Sequence, residues 1–486
     1  MNYNINPRRP LLEFWSNKEL DEIHYASLEI LERVGVNIYH EKARELLYSA
    51  GAKVEDDLRV RIPSYVVEKA LQFAPKRTIL SNRLGERTIF LEDAKIHFGT
   101  GGDLVNTIDH ETSERRKSVL KDVENAALVS DYLSNIYFIM GYGLPSDVHP
   151  IMQVLYEFYA MIKGSVKPMF LNVSGRRDIL EYMYEMAIVV AGSPEKLQAN
   201  PFFAVNAEPV APLRHIKDSL EPLLFCSERR IPVVYPAAIY GGANAPVTMA
   251  GALALGNAET LVGLVVTQLN NPGAPFIYGG GGCCPLDMKK SVWPWGAPEW
   301  HVASAIYAQL SRRYGLSTWD TAGATDSKTV DEQAAIEGAY TLLMAALGGS
   351  NVIHDVGFLE GGLTGSLSFM VMMDEVIALI KRILRSYPVN RETLAIDLVE
   401  EVGPGGDFFD KPHTVEHFKQ ELWYPHLLDR NNFDRWVKGG SLTLQARAQA
   451  EVKRILASHQ PAPLPEETQK ELEQIIHSAE RNVLPK

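Results

Sequence analysis

The chain has 486 residues, of which 46% are hydrophobic and 22% charged, a composition typical of globular proteins with a sizeable core. Its formal net charge is -12 at pH 7 and its Lys and Arg form no extended cluster of the kind a general nucleic-acid surface needs, which excludes such a surface. Three cysteines are too few for a disulfide framework, and no basic-then-apolar leader or uninterrupted apolar run of roughly 18 residues is visible. These features predict a cytoplasmic protein without a membrane span.

The first 90 residues are predicted to form a mainly helical extension. Residues 20–34 carry apolar side chains at helical spacing, and Gly35 supplies a stop signal. A second helix is predicted over residues 64–73, because Pro63 suits the start of a helix, where its missing N–H is not needed.

A regular alternation begins near residue 95, where short apolar segments recur at intervals of roughly 30–43 residues. The segments comprise residues 96–98, 136–140, 168–172, 202–206, 232–235, 275–278, 316–319 and 351–354. Helical patterns lie between them, for instance over residues 250–269 and 331–347. Eight buried strands alternating with helices predict an α/β protein with a closed (β/α)8 (TIM) barrel over residues 91–385. The alternative is a doubly wound open sheet, which would carry G-x-G-x-x-G after its first strand, and this chain does not.

The last part of the chain, residues 386–486, is more charged and less regular. A glycine-rich loop is predicted over residues 403–406. We expect a helical segment that packs on the barrel and ends, from Pro461 onward, in an exposed helical tail.

Candidate site residues follow the predicted strands, because a parallel barrel places its chemistry at the C-terminal ends of its strands. Residues 99–103 lead from glycines into an acid, which indicates a site at Gly102 and Asp103; the alternative is a tight turn with a capping Asp. Glu208 follows the fourth strand and Tyr240 the fifth. His354 ends the eighth strand, with acids and glycines beside it, and the alternative there is a structural histidine.

Four consecutive glycines at residues 279–282 follow the sixth strand, and such a run is not expected inside a buried strand. They suggest a wall against a large ligand, with a mobile loop as the alternative. Aromatic residues occur in the same loops, and their faces bind quaternary ammonium ions; taken singly, each is also compatible with core packing. These residues are Tyr240, Tyr278, Trp293, Trp295, Trp300, Trp319 and Phe358.

A zinc site is a further alternative. Cys283 and Cys284 are adjacent and His301 is the nearest other soft ligand, although this spacing is not that of known zinc motifs.

Several segments together resemble the trimethylamine methyltransferase (MttB-like) superfamily, in order along nearly the whole chain. They are residues 99–103, 109–116, 242–255, 324–328, 354–362 and 413–418. The archaeal founders of this superfamily act on trimethylamine and carry pyrrolysine, a position that aligns near Lys328. Relatives without pyrrolysine resemble methyltransferases for glycine betaine, proline betaine or carnitine, and this chain resembles that branch.

The resemblance implies a TIM barrel that transfers a methyl group from a quaternary amine to the cob(I)alamin of a separate, cognate corrinoid protein. The partner would carry the cobalamin, so no tightly bound cofactor or metal is expected in this chain, and a homo-oligomer is expected. The alternatives are a zinc-dependent methyltransferase or hydrolase and a quaternary-amine-binding protein without catalysis.

Roles for the candidate residues follow from that implied reaction. Asp103 and His354 are expected to be catalytic, His354 by holding the carboxylate tail of a betaine. The expected substrate contacts are Gly102, Glu208, Tyr240, Tyr278 and Phe358. The glycines expected to face the corrin ring are Gly280, Gly281, Gly361 and Gly362.

Overall fold

The structure, a computed structural model, describes residues 9–484. Its centre is a ring of parallel strands: β1 (His97–Gly99), β2 (Ile136–Phe138), β3 (Met169–Asn172), β4 (Phe203–Asn206), β5 (Val233–Val234), β6 (Phe276–Pro285), β7 (Ser317–Thr321) and β8 (Val352–His354). They pair in the order β3-β4-β5-β6-β7-β8-β1-β2. A parallel bridge between Ile139 and Met169 joins β2 to β3 and closes the ring. The predicted closed barrel is confirmed, and the open-sheet alternative is wrong.

A helix follows each barrel strand, as the alternation predicts. These helices are Leu120–Tyr132, Gln153–Gly164, Arg177–Ala191, Lys217–Arg229, Met249–Asn270, Pro298–Tyr314, Glu332–Gly348 and Leu367–Ile383, with shorter turns at Pro150–Met152 and Pro194–Ala199. A short strand, Ala237–Gly241, also pairs with β6. Met249–Asn270 is long and apolar enough to cross a membrane, but 83% of its most apolar window is buried inside the protein. By that burial it belongs to the core.

The N-terminal extension contains both helices and strands. Its elements are the α-helices Asn17–Glu29, Glu41–Ser49 and Ser64–Phe73, the π-helix Ile30–Val34, and the strands Val36–Ile38, Lys53–Glu55, Arg59–Arg61, Thr78–Ser81 and Arg87–Leu91. Gly35 ends the first helical stretch at φ 74°, in the left-handed region that glycine tolerates. The hairpin of the last two strands packs Leu80 and Ile89 against the barrel interior, where Phe170 and Trp319 lie.

The loops after β1 and β8 are joined by a small sheet at the barrel mouth. It contains the strands Phe358–Leu359, Thr364–Gly365, Asn106–Ile108 and Arg115–Lys117, in that order. Arg115 pairs with Glu360 across it at 2.8 Å. This sheet fixes the loop that carries Asp103 beside the loop that carries Asp355.

The C-terminal residues form the helices Arg391–Leu394, Ile396–Val402, Pro412–Glu421, Phe433–Lys438, Leu444–Ser458 and Glu466–Val483. The tail beyond Pro461 is helical as predicted, but it is not simply exposed. Its buried face, which includes Leu472 and Ile476, packs on the helix Arg177–Ala191. The division into units at residues 90 and 385 stays a prediction.

The glycines at 279–282 overturn one expectation, because they lie inside strand β6. A Cβ atom on Gly280 would lie 2.3 Å from the Tyr307 ring, and one on Gly282 would lie 2.4 Å from Trp300. The residues that fill this space belong to the following helix, Pro298–Tyr314. Glycine is therefore required here so that aromatic side chains of the protein itself can approach the strand.

Candidate active site at the barrel mouth

A cavity of about 230 Å³ opens at the C-terminal ends of the barrel strands. It is lined by Gly102, Asp103, Met140, Asn172, Asn206, Glu208, Ala238, Tyr240, Trp293, Trp295, Trp300, Trp319, Thr321, His354, Asp355, Phe358 and Gly362. Among these described lining residues there are three carboxylates and one histidine, with neither Lys nor Arg. The structure brings Asp103, Glu208 and His354, which follow three different strands, to one cavity, and the roles predicted for them stay predictions.

Asp103 is held by a row of amide side chains at the ends of neighbouring strands. Asn172 Nδ2, on β3, donates to Asp103 Oδ2 at 2.7 Å. Asn206 Nδ2, on β4, donates to Asn172 Oδ1 at 2.9 Å and to Glu208 Oε1 at 3.3 Å. This row connects two carboxylates and fixes where their oxygens lie.

Asp103 and Asp355 both adopt left-handed backbone conformations, with φ of 66° and 74°. Aspartate tolerates this region better than most residues. Gly101 permits the close approach of the two loops, because a Cβ atom there would lie 1.9 Å from Asp355 Oδ1. The turns after β1 and β8 thus bring both acids to the same mouth.

His354 is fixed between three side chains. Its Nδ1 lies 2.7 Å from Asp355 Oδ1, and its Nε2 lies 3.1 Å from Thr321 Oγ1. Its ring stacks on Trp319 with the ring centroids 4.0 Å apart. Nε2 therefore has a hydrogen-bond partner, whereas the contact of Nδ1 with Asp355 is close but lacks hydrogen-bond geometry and leaves that nitrogen without a hydrogen-bond partner among the described residues.

The electrostatic environment favours a cation. The side chains of Asp103 and Glu208 are exposed to the cavity, but the surrounding barrel mouth partly desolvates them, and this desolvation raises the pKa of both carboxyls. Nearby Asp355 raises the pKa of Asp103 further, while the hydrogen bond from Asn172 acts in the opposite direction. A cation in the cavity would relieve the mutual repulsion of these acids.

Aromatic side chains line the same cavity and contact one another as an aromatic wall. The ring centroid of Trp293 lies 4.1 Å from that of Tyr240 and 4.2 Å from that of Trp300. Trp295 continues the wall to Phe358, at 6.3 Å. Asp326 holds this loop by accepting hydrogen bonds from the backbone N–H groups of Trp295 and Gly296, at 3.0 and 2.9 Å. Aromatic rings and carboxylates lining one cavity suit an N-methylated ammonium ion.

Comparison with known proteins identifies the family. The sequence matches the family model "Trimethylamine methyltransferase (MTTB)" over residues 2–483. The chain belongs to the trimethylamine methyltransferase family. It is 33% identical over 467 residues to a trimethylamine methyltransferase MttB of Desulfitobacterium hafniense (strain DSM 10664 / DCB-2), covering 96% of this chain and 94% of that relative. It is 31% identical over 471 residues to a glycine betaine methyltransferase of Desulfitobacterium hafniense (strain Y51), covering 96% and 97%.

A solved structure, the monomethylamine methyltransferase (MtmB) of Methanosarcina barkeri, aligns with 99% of this chain and 91% of its own, at 12% identity and a TM-score of 0.49. The predicted family membership is confirmed by the sequence comparisons. The chain is therefore an enzyme of a methyltransferase family whose named members act on methylated amines.

Two residues predicted for the methyltransferase site lie elsewhere. Tyr278 is fully buried outside the cavity, where its hydroxyl donates to Asn257 Oδ1 at 2.8 Å, so the predicted substrate contact is wrong. Gly280 packs against Tyr307 and does not face the mouth, so the predicted corrin contact there is also wrong. Gly281 lies within β6, but its surroundings are outside the described residues.

The remaining predicted glycines lie near the mouth, and Lys328 lies outside the cavity. Gly362 lines the cavity, and a Cβ atom there would lie 2.5 Å from the Trp295 ring. Gly361 lies beside Trp295 and Asp326, and its contact with the corrin ring stays a prediction. Lys328 is exposed and its Nζ donates to the backbone oxygen of Asp326 at 2.7 Å.

The described residues contain no group of three or more His, Cys, Asp or Glu side chains able to hold a metal ion. The zinc alternative therefore has no ligand set in that part of the chain. His301 Nε2 instead contacts the backbone oxygen of Trp295 at 3.0 Å. Burial raises the pKa of both Cys283 and Cys284 to about 12, so both thiols are protonated near neutral pH when no metal is bound.

Sequence reasoning missed two polar residues of this cavity. Asn172 and Asn206 stand at strand ends, so the rule that found Asp103 applied to them as well, but their uncharged amides gave no chemical signal. A further carboxyl, Glu157 on the helix Gln153–Gly164, is buried and does not line the cavity. Burial, with the added effect of Asp103, raises the pKa of Glu157 well above the ordinary value. A Cβ atom on Gly141 would lie 2.5 Å from Glu157 Oε2, so glycine makes room for this carboxyl.

Proposed function

We propose that this enzyme transfers a methyl group from a quaternary ammonium cation to the cob(I)alamin of a separate corrinoid protein, in the reducing cytoplasm. One observation carries the proposal: three carboxylates and a wall of aromatic rings converge on one cavity at the barrel mouth. Family membership supplies the reaction class. All three cysteines are free, which agrees with a reducing compartment.

This reaction requires little of the protein beyond binding the quaternary ammonium substrate and orienting it. The bond between the methyl carbon and nitrogen breaks, its electron pair stays on nitrogen, and a neutral tertiary amine leaves without needing a proton. The corrinoid partner supplies the cobalt nucleophile that accepts the methyl group. Asp103 and Glu208 would hold the ammonium, and the tryptophan wall would exclude water and fix its orientation.

The charge of the cavity bears on the choice of substrate. A betaine would bring its carboxylate among Asp103, Glu208 and Asp355, and no Lys or Arg lines the described cavity to compensate. His354, expected to hold that carboxylate, has its Nε2 engaged with Thr321, and its Nδ1, which makes no hydrogen bond to a described residue, lies 2.7 Å from Asp355, whose negative charge would repel a second carboxylate there. We therefore place quaternary cations without a carboxylate ahead of glycine betaine as substrates.

The decisive experiment is an anaerobic assay of methylcobalamin formation from chemically reduced cob(I)alamin, with tetramethylammonium, choline, glycine betaine and trimethylamine as methyl donors. We expect transfer from tetramethylammonium or choline with kcat/KM at least about 10-fold above that of glycine betaine, equivalent to about 1.4 kcal/mol. Binding of a quaternary amine without transfer from any donor, also with candidate corrinoid proteins present, would favour the non-catalytic alternative. Faster transfer from glycine betaine would overturn the charge argument alone.

Binding of a quaternary cation should also depend on pH. Because burial raises the pKa of Asp103 and Glu208, the affinity for tetramethylammonium should rise with pH above the ordinary carboxyl value of about 4. Tetramethylammonium does not titrate, so the change reports on the protein. For stability the sign is opposite: these carboxyls favour the fold at low pH, and that contribution is lost as pH rises through the raised pKa values. Titration calorimetry at a series of pH values tests the binding, and a flat profile would contradict it.

A further inference from the structure

The segment of residues 386–443 has almost no core of its own. All its residues are described, and Leu427 is the only buried side chain among them. Its four helices have only four to ten residues, and isolated helices shorter than about 12–15 residues are marginal in water. Contacts other than apolar burial therefore have to hold these helices in place.

Two histidines lie one turn apart on the longest of these helices, Pro412–Glu421. His413 and His417 are four residues apart, a spacing that places both side chains on the same helix face. Their ring centroids are 4.3 Å apart, and the ring planes form an angle of 42°. Two imidazoles at this spacing can bind one metal ion together, as the paired histidines of helical zinc motifs do.

Neither imidazole ring forms a hydrogen bond with the described residues. His413 Nε2 is buried and has no hydrogen-bond partner among them. An unsatisfied buried nitrogen of this kind points to a bound water or ion. Imidazole nitrogen is also the commonest side-chain ligand of metals such as Zn²⁺, Cu²⁺ and Ni²⁺. The pair can therefore bind a metal ion without breaking a hydrogen bond to a described residue.

A carboxylate from a neighbouring helix lies beside the histidine pair. Glu392 belongs to the helix Arg391–Leu394, and its Oε1 is 3.9 Å from His417 Nε2. This distance is too long for a hydrogen bond, yet it is close to the separation of two atoms that share one metal ion, each bonded at about 2.0–2.2 Å. The Glu392 side chain is 74% exposed, so it can move the short distance that remains.

The charges around the pair favour a cation. Lys411, just before the helix, has its Nζ 2.8 Å from Glu401 Oε1, so its charge is paired. Lys419, further along the helix, is exposed, and so is Glu416. With Glu392, the two carboxylates outweigh the single unpaired lysine, which leaves a negative environment for a metal ion.

We propose that His413 and His417 bind one divalent transition-metal ion, with Zn²⁺ as its probe, and that Glu392 ties this ion to the neighbouring helix. Water would occupy the remaining coordination positions. An ion that links two short helices stabilises them without burying apolar surface, as structural metals do in small domains. Two imidazoles are fewer than the three protein ligands of a catalytic zinc site, so the zinc-dependent enzyme is not revived.

The proposed metal site is separate from the methyltransferase cavity, because none of its three side chains lines that cavity. The helix Pro412–Glu421 is attached where Arg385 Nη1 donates to the backbone oxygen of Gln420 at 2.7 Å. Arg385 follows the barrel helix after β8, and such a crossover helix ends at the side of the barrel where the strands begin. The inference therefore does not rest on the proposed function.

Calorimetric titration of Zn²⁺ into the full-length chain, first stripped of metal with a chelator, tests the site. We expect one ion bound per chain. A variant with His413→Gln and His417→Gln should bind Zn²⁺ at least about 100-fold more weakly, and Glu392→Gln about 10-fold more weakly. His477→Gln is the matched control, because this exposed histidine has no second histidine one turn away, and it should leave the affinity unchanged. Mg²⁺ prefers oxygen ligands and should not compete.

Hydrogen exchange tests whether the ion links the two helices. With Zn²⁺ at about ten times its dissociation constant, the amides of Pro412–Glu421 and Arg391–Leu394 should exchange about 10-fold more slowly. The double-histidine variant should show no such slowing, and far-UV circular dichroism checks that it stays folded.

A parent chain that binds no Zn²⁺, or a double-histidine variant that binds it as tightly as the parent, would overturn the metal site. Parent affinity together with parent exchange in Glu392→Gln would overturn the link between the helices. Neither result bears on methyl transfer, which the methylcobalamin assay measures separately.

Discussion

Replacing Asp103 with asparagine is expected to lower kcat/KM for tetramethylammonium roughly 30- to 150-fold, which corresponds to losing about 2–3 kcal/mol of interaction with a charged group. The effect should be mainly in KM, because the charge holds the bound cation before the methyl group moves. Asparagine keeps an oxygen that can accept the hydrogen bond from Asn172. It also tolerates the φ of 66° at this position, where alanine would introduce backbone strain.

The control for that substitution is Asp178→Asn, at an exposed carboxylate paired with Arg176 on the surface. It should leave kcat/KM unchanged. Thermal unfolding of both variants should stay within a few degrees of the parent, which separates loss of binding from loss of fold. Full activity of the Asp103→Asn enzyme would remove the carboxylate from the site.

Replacing Trp293 with leucine is the second change for which we expect a large effect. Trp293 connects Tyr240 to Trp300 in the aromatic wall. A cation over a desolvated aromatic face gains about 1–2 kcal/mol, so the affinity for choline should fall roughly 5- to 30-fold. Trp293→Phe retains an aromatic face and should restore most of the affinity.

A neutral analogue separates the ring's electrostatic attraction from simple packing. In 3,3-dimethylbutanol a carbon replaces the nitrogen of choline, so the shape is kept and the charge is lost. Competition binding should show that Trp293→Leu weakens choline more than this analogue. An equal loss for both ligands would indicate that Trp293 acts by shape alone, and the cation–π argument would then be wrong.

Much of the candidate site was predictable because the C-terminal ends of parallel strands lie at one edge of the barrel. By that rule alone, Asp103, Glu208, Tyr240, His354 and Phe358 were predicted to lie close together although they are far apart in the sequence, and all five line the cavity. It failed for Tyr278, which stands within β6 itself. Neighbouring side chains on a strand point to opposite faces, and a continuous apolar run does not reveal which of them face the barrel interior. Ile277 packs in the interior cluster, so Tyr278 points outward to Asn257.

The periodicity and strand count of the sequence determined the barrel by themselves, because eight buried strands with helical crossovers close readily into a ring. The role of the glycines in β6 is visible only in the tertiary structure. They leave space for Tyr307 and Trp300, which approach the strand from a separate helix. Likewise, only the tertiary structure shows that the apolar residues of the segment 386–443 stay exposed. Local sequence patterns indicate which faces of helices and strands need burial. Which surface buries those faces is decided by packing between residues that are far apart in the sequence.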